Sequence, residues 1–414
     1  MKKQLLTIAL ATLGLLCEAQ QRYVGGDISL LPSYEASGAW YMDANNERIT
    51  DMLGYLKAQG LNSLRVRLFV DPTQATQDEK NQGVRQDLAY VKTLGKRIKD
   101  AGFSLMLDFH YSDTWADPKQ QITPAAWLSL GDAALQTKIY DYTKDCLQQM
   151  VEAGATPDFI QTGNEISYGM MWGARGTTQN QCFTNSAAAN WNRFFGLLKK
   201  AGEACREVCP QAKIILHSER VPRVNVLKDW LDRMVANSID YDIIGLSYYP
   251  AYHGNLNTLE TAINQIEGKN YGKDIMVVET GYSYAWALDA TTFDYTGTYP
   301  YTEEGQRKFT ADLVAMLNKH SSVTGLFWWW PEDNGNKSVT DRWWNAALYN
   351  HNSGKPYAAF YELKNFAPNS AGIGHVTTDG QSSGAWYTLD GRQLQGQPAA
   401  KGIYVHEGKK YVNR

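Results

Sequence analysis

The sequence predicts an α/β fold: a closed (β/α)8 TIM barrel followed by a small C-terminal β extension. Three observations lead there. Eight apolar runs of strand length alternate with stretches of helical period. Helix-ending glycines stand just before several of those runs. Several runs also end abruptly in Asp, His, Asn, Glu or Trp, as barrel strands do where they leave the core and enter the site at the C-terminal mouth.

In chain order the strand candidates are Tyr23–Ser29, Ser63–Phe69, Ser104–Tyr111, Phe159–Ile166, Lys213–Glu219, Asp242–Pro250, Ile275–Tyr282 and Val323–Pro331. Between them, Asp87–Ala101, Ala134–Val151, Asn190–Val208 and Glu303–Lys319 have the amphipathic spacing of helices. Gln59-Gly60-Leu61-Asn62, Ala101-Gly102 and Ala153-Gly154 place a glycine where a helix ends and a strand begins. A doubly wound open sheet is the rival arrangement. Eight strand–helix units over about 350 residues favour closure, and Gly25-Gly26-Asp27 lacks the third glycine of a dinucleotide-binding turn.

The chain ends differ in character. Met1-Lys2-Lys3 precedes the short apolar run Leu5–Leu16, and Cys17-Glu18-Ala19 offers a cleavage site before Gln20. Residues 1–19 therefore read as a secretory signal peptide, too short to span a bilayer. Export to the periplasm, the outer cell surface or the medium is expected. Lipid on Cys17 is the alternative, but Leu16 is large for the position before a lipidated cysteine. Residues 20–368 make the barrel. Residues 369–414 combine linker-like Asn369–Gly372 and Asp379–Gly384 with short alternating runs at Ala385–Leu389, Lys401–His406 and Lys409–Asn413. Asp390-Gly391 and Glu407-Gly408 read as their hairpin turns. This tail is similar to C-terminal β modules of exported Bacteroidetes proteins.

Composition narrows the function. A 414-residue chain with 43% hydrophobic residues can bury a large core, and a net charge of −3 gives no argument for a nucleic-acid partner. No later segment has the length of a transmembrane span, and a monomer is expected. Beyond Cys17, the cysteines are Cys146, Cys182, Cys205 and Cys209, which lack zinc-site spacing. Export permits a disulfide, but no pairing can be read. With 13 Trp and 25 Tyr, aromatic content is 12%, as either a large core or a set of sugar-stacking surfaces requires.

The strand ends give a convergent list: Asp27, Arg65, Arg67, Asp108, His110, Asn164, Glu165, His217, Tyr248, Tyr249, Glu279 and Trp328–Trp330. Glu165 ends the fourth strand and Glu279 the seventh. Glycoside hydrolysis needs two carboxyl groups, one to protonate the leaving oxygen and one to attack or to activate water. Carboxyls about 5 Å apart across a narrow mouth would suit a retaining double displacement. Arg65 and Arg67 share a strand face and either neutralise a buried carboxylate or serve the site; a neighbouring arginine is expected to keep Glu279 ionised, and that charge to raise the pKa of Glu165. His110 and His217 are candidate ligand contacts. No pair of histidines has metal-ligand spacing, and no Gly-x-Ser-x-Gly elbow appears.

The run Asp108–Pro118, with Gly163-Asn164-Glu165-Ile166 and Val277-Val278-Glu279-Thr280, resembles endo-β-1,4-galactanases of glycoside hydrolase family 53. The resemblance extends from Gly26-Asp27 and Leu64-Arg65-Val66-Arg67, through Gly245–Pro250, to Gly325-Leu326-Phe327. It implies a retaining enzyme on a TIM barrel that acts on pectic galactan or type I arabinogalactan. By match, Glu165 is the acid/base, Glu279 the nucleophile, Asn164 the contact to the sugar 2-hydroxyl and Arg65 the arginine beside the nucleophile. Asp108, His110, Trp115, His217, Tyr249 and Trp329 are the further expected substrate contacts, and Trp115, Trp172 and Trp328–Trp330 the candidate stacking surfaces.

Two departures stand out. The family commonly has Trp-Glu-Pro at the eighth strand end, where this chain has Trp329-Trp330-Pro331. Bacterial relatives can hold calcium after the seventh strand, but here Ser283–Tyr301 carries only Asp289 and Asp294 as carboxylates. No metal ligand is therefore assigned and no cofactor is expected to be required, while a structural calcium stays open. The competing readings are another β-glycanase of the same architecture, such as a mannanase or cellulase, and a catalytically dead carbohydrate-binding protein.

Overall fold

The computed structural model describes residues 21–367, 386–388, 393–394, 396–398, 400–406 and 409–413. The chain divides into two units, Met1–Pro368 and Asn369–Arg414. In the first, eight parallel strands close on themselves: β1 (Tyr23–Asp27), β2 (Ser63–Leu68), β3 (Ser104–Phe109), β4 (Phe159–Thr162), β5 (Lys213–Ser218), β6 (Ile243–Tyr248), β7 (Asp274–Thr280) and β8 (Val323–Trp329). The ring shuts where Tyr23 lies opposite Gly325 and Asp27 opposite Trp329.

The helices between them are α1 (Met52–Ala58), α2 (Leu88–Asp100), α3 (Asp132–Glu152), α4 (Ala188–Val208), α5 (Val224–Ala236), α6 (Leu256–Lys269) and α7 (Glu303–Leu317), with α8 (Ala358–Leu363) after the last strand. Four start on side-chain caps: Asp51, Asp87, Asn255 and Thr302 accept from backbone N–H groups of the first turn. Gly60, Gly102 and Gly154 end α1, α2 and α3 with φ of 97°, 78° and 74°, the left-handed stop read from the sequence.

Strand alternation sorts the side chains. From β3, Leu105, Leu107 and Phe109 join the large core between barrel and helices, while Met106 points into the barrel. Inside, Met106, Phe159, Ile215, Ile243, Met276, Val278 and Phe327 form an apolar layer. The polar side chains one step further along the strands then face the mouth.

The ladders stop short of several expected ends. Tyr111 (φ 50°), Gly163 (φ 112°) and Glu165 (φ 47°) turn left-handed, which bends the chain out of the sheet beyond β3 and β4. On β7 the alternation itself breaks. Leu246 pairs with Val277 and Ser247 with Glu279, so Val278 is the extra residue of a β-bulge. Met276 and Val278 face the interior; without the bulge, Glu279 would face the helices.

The second unit is a four-stranded antiparallel sheet of β9 (Trp386–Thr388), β10 (Gln393–Leu394), β11 (Gly402–His406) and β12 (Lys409–Asn413), in the order β10-β9-β11-β12. β10 was not foreseen. Residues 1–19 with Cys17, the stretches 369–372 and 379–384, and the turns at 390–391 and 407–408 lie outside the described residues. Among the described residues no helix is long and apolar enough to cross a membrane.

Candidate active site

One guanidinium organises the mouth. Arg65 is fully buried on β2, and its Nη2 donates to Asp108 Oδ2 (2.7 Å), Glu279 Oε1 (2.8 Å) and Asn164 Oδ1 (2.9 Å). Its Nη1 donates to Asp27 Oδ2 at 3.0 Å. Arg67 donates to the other Asp27 oxygen at 2.6 Å and lies under Trp115, Trp329 and Trp330, about 5 Å from each ring centre. Asp108 loses by burial, but Arg65 and then His110 bring its carboxyl below the usual range. His110 accepts at Nδ1 from Ala116 N–H (3.0 Å) and holds Nε2 3.2 Å from Asp108. Burial lowers its pKa.

Glu279 is 6% exposed and accepts a second bond at Oε2 from Tyr249 OH (3.1 Å). Burial lifts its carboxyl to about 7 against the pull of Arg65, with Asp108 and Asp27 adding to the rise. Arg65 pulls Glu279 towards the anion, as expected, and burial works against it.

Glu165 sits differently. It leaves β4 in a left-handed conformation (φ 47°, ψ 53°), a costly one for a residue with a side chain. Gly163, two residues earlier, is also left-handed, and a Cβ there would lie 2.6 Å from Ile166. Among the described residues the Glu165 side chain takes one hydrogen bond, from Ser247 Oγ at 2.6 Å. Ser247 Oγ is 2.8 Å from His217 Nε2, and His217 Nδ1 accepts from the Glu165 N–H (3.3 Å). His217 Nδ1 also lies 3.0 Å from Gln161 Nε2 and 3.0 Å from Asn164 Oδ1; with the imidazole proton on Nε2 the chain runs His217 to Ser247 to Glu165. Burial holds His217 neutral, well below its ordinary pKa. Burial, then the charges of Glu279 and Glu219, push the Glu165 carboxyl well above the usual range. Ser247 is the register partner of Glu279, so the two glutamates flank one serine.

Asn164 is held by the Asp108–Pro118 run: its Nδ2 donates to Ala116 O (2.8 Å), while Gln121 from the same loop donates to the Asn164 carbonyl (2.8 Å). The most recognisable stretch of sequence is thus a cradle for the end of β4.

The structure brings Asn164, Arg65, Asp108, His110, His217, Tyr249, Glu165 and Glu279 together, with Trp115 and Trp329 over the arginines. Other candidates fall away. Tyr248 alternates out of the barrel and donates to Gly254 O (2.9 Å). Trp328 (0% exposed), Trp330 (1%) and Trp172 (2%) are packed inside and offer no stacking face. Asp294 caps Thr296, and Asp289 is exposed 3.6 Å from Arg342. Among the described residues no group of three or more His, Cys, Asp or Glu could hold a metal ion, and Cys146, Cys182, Cys205 and Cys209 are buried free thiols.

Four residues were missed. Gln161 donates to Asp108 Oδ1 (2.5 Å). Ser247 joins His217 to Glu165. Trp343 packs 5.1 Å from Tyr249, extending the aromatic wall. Glu219 is a further buried carboxyl, lifted by burial to about 7, and accepts from Ser167 Oγ at 2.6 Å. Period-two counting would have found three of them: Gln161 follows inward Phe159, Ser247 precedes Tyr249, and Glu219 follows His217, each by two residues.

Comparison with known proteins agrees with this geometry. Residues 23–361 match the model of glycosyl hydrolase family 53. An endo-β-1,4-galactanase of Bacillus subtilis is 31% identical over 318 residues, 74% of this chain and 69% of that protein. The solved catalytic domain of Ignisphaera aggregans from the same family superposes with a TM-score of 0.71 at 30% identity, covering 84% of this chain and 96% of that one. A structure from a study of two fungal β-1,4-galactanases gives 0.70 at 26% identity, over 83% and 99%.

Proposed function

The chain belongs to glycosyl hydrolase family 53, and on that premise we propose that it is a retaining endo-β-1,4-galactanase acting on pectic galactan and type I arabinogalactan. One observation supports the mechanism above the others. Two glutamates, Glu279 buried and Glu165 half-buried, flank Ser247, one in the grip of Arg65 and Tyr249, the other with a single hydroxyl donor and a strongly raised pKa. The second has no cation to favour its anion and holds its proton the more readily of the two, as a general acid requires.

In this reading Glu165 protonates the leaving galactosyl oxygen while Glu279 attacks the anomeric carbon. The bond from anomeric carbon to leaving oxygen breaks as the bond to the Glu279 carboxyl oxygen forms. Ester formation removes the charge that raised Glu165, which can then take a proton from water as the water releases the sugar. Asn164 is aligned for the sugar 2-hydroxyl, and Asp108, His110, His217 and Tyr249 line or orient the pocket. Trp115 and Trp329 offer buried Nε1 donors without protein partners, available to sugar hydroxyls. Residues 1–19 support export, and we take the enzyme to work outside the cytoplasm as a monomer.

The test is proton NMR of linear β-1,4-galactan hydrolysis in its first minutes. The β anomer is expected before mutarotation, because two displacements at one carbon restore configuration. An α anomer first would overturn retention, and hydrolysis of mannan or cellulose in place of galactan would overturn the substrate.

A further inference from the structure

Next to Glu165 lies a polar cluster whose only part in the chemistry above is the charge of Glu219. Ser167 is two residues past Glu165, and Glu219 and Arg220 follow β5. Ser167 Oγ donates to Glu219 Oε1 (2.6 Å) and accepts from Arg220 Nε (3.0 Å), while Arg220 Nε is also 3.0 Å from Glu219 Oε1. The guanidinium lies flat on Tyr168, 3.5 Å from the ring centre. Both charged side chains are more than nine-tenths buried, Glu219 at 6% and Arg220 at 8% exposed. Yet each keeps one buried polar atom without a partner: Glu219 Oε2 and Arg220 Nη2. Buried polar groups are rarely left so, and a site where an acceptor and a donor are both idle is set for a ligand that supplies both.

The pairing identifies the chemistry. An anion would face Glu219 and a cation would face Arg220, so neither is favoured. A sugar hydroxyl donates once and accepts at its lone pairs, and one such group can bond both atoms. Position identifies which sugar. Ser167, two residues past Glu165, bonds both Glu219 and Arg220, which ties the cluster to the general acid. A general acid gives its proton to the oxygen that departs with the leaving sugar, so the sugar beside the acid is the leaving one.

We propose that Glu219 and Arg220, braced by Ser167 and Tyr168, bind the leaving sugar of the neutral galactan chain through a hydroxyl next to its bridging O4. This rests on the galactanase reading and deepens it: the pair selects an acceptor-side hexose and makes the enzyme prefer glycan over simple leaving groups.

The experiment compares wild type with Arg220→Met and Glu219→Ala on two substrates, β-1,4-galactotetraose and an aryl β-1,4-galactobioside whose leaving group has no sugar hydroxyls. The expected result is a loss of roughly 10- to 100-fold in kcat/KM on the tetraose, mainly through KM, with the aryl substrate within about threefold of wild type. Added galactobiose should also divert less of the glycosyl-enzyme to transfer products. The aryl rate doubles as the folding control, and the near-isosteric Glu219→Gln is a second variant. Equal losses on both substrates would overturn the proposal by showing a role in the fold, and a tetraose loss confined to kcat with KM unchanged would overturn it by showing that the pair acts through Glu165. No loss on either would also overturn it. Failure of the galactanase reading shows separately, as wild-type enzyme inert on galactan.

Discussion

The two sides of the barrel mouth handle the same side-chain type in opposite ways. On the side of β1, β2, β3 and β7, Asp27, Asp108 and Glu279 each bond a guanidinium. On the side of β4, β5 and β6, Glu165 and Glu219 take their shortest hydrogen bonds from serine hydroxyls, and no guanidinium bonds Glu165. A carboxyl is assigned its task less by its identity than by whether a cation or a hydroxyl meets it. On the guanidinium side Arg65 opposes what burial does to Glu279, and on the hydroxyl side Glu165, without such a cation, is left to hold a proton until it is used.

The contrast can be broken at four points. The largest effect is expected from Glu279→Gln, which keeps shape and loses the attacking oxygen. Turnover of galactan should fall by about four orders of magnitude or more while binding by calorimetry persists. Turnover like wild type would place the nucleophile elsewhere. Next is Glu165→Ala, with a loss of about 10²- to 10⁴-fold on galactan and much less on an aryl galactoside needing little protonation. Azide should restore the second step and give a β-galactosyl azide by NMR. No rescue, or an α-azide, would count against the proposed acid/base.

Third, Asp108→Ala leaves Arg65 short of a buried counter-charge, and urea unfolding should show a loss of about 3–5 kcal/mol. An unchanged midpoint would mean that the charged side is not the stabilising one. The smallest effect has the opposite sign. Glu165→Gln should raise Tm by a few degrees near pH 8, on the order of 0.5–2 kcal/mol. The folded pKa of Glu165 is raised, so its contribution to stability is fully present below the unfolded value and is lost as pH rises through the folded one. The gain of the amide over wild type should therefore grow from pH 4 to pH 8. A gain that shrinks over that range would show that Glu165 is stabilised as an anion.

Much of this was legible before any coordinates. The barrel could be counted from eight apolar runs and their glycine stops, because helix ends and strands are local features. Arg65, Asp108, Asn164, Glu165 and Glu279 stood at strand ends, where this architecture collects its chemistry. What was hidden has physical causes. The inward facing of Glu279 depends on the bulge at Val278, which alternation does not predict. Tyr248 and Tyr249 look equivalent in sequence, and only the phase of β6 separates an outer-core residue from a site residue. The tryptophans of the β8 end read as one platform, but alternation buries Trp328, and Trp330 turns away with φ 54°. Shared bonds to Arg65 join residues far apart in the chain, so the burial that works against its pull on Glu279 could not be read from any one motif.

The knot around Arg65 also has a stoichiometry. Three acids, Asp27, Asp108 and Glu279, bond two guanidiniums, Arg65 and Arg67, so in its ionised form the group is one positive charge short of balance. In the proposed mechanism that missing cation is the sugar itself, whose ring oxygen and anomeric carbon turn positive as the glycosidic bond stretches. Once Glu279 becomes an ester the count is two against two, and the pocket no longer favours a cation. The binding of a protonated iminosugar should accordingly weaken when Glu279 is made neutral, even where a neutral sugar of the same shape binds as before.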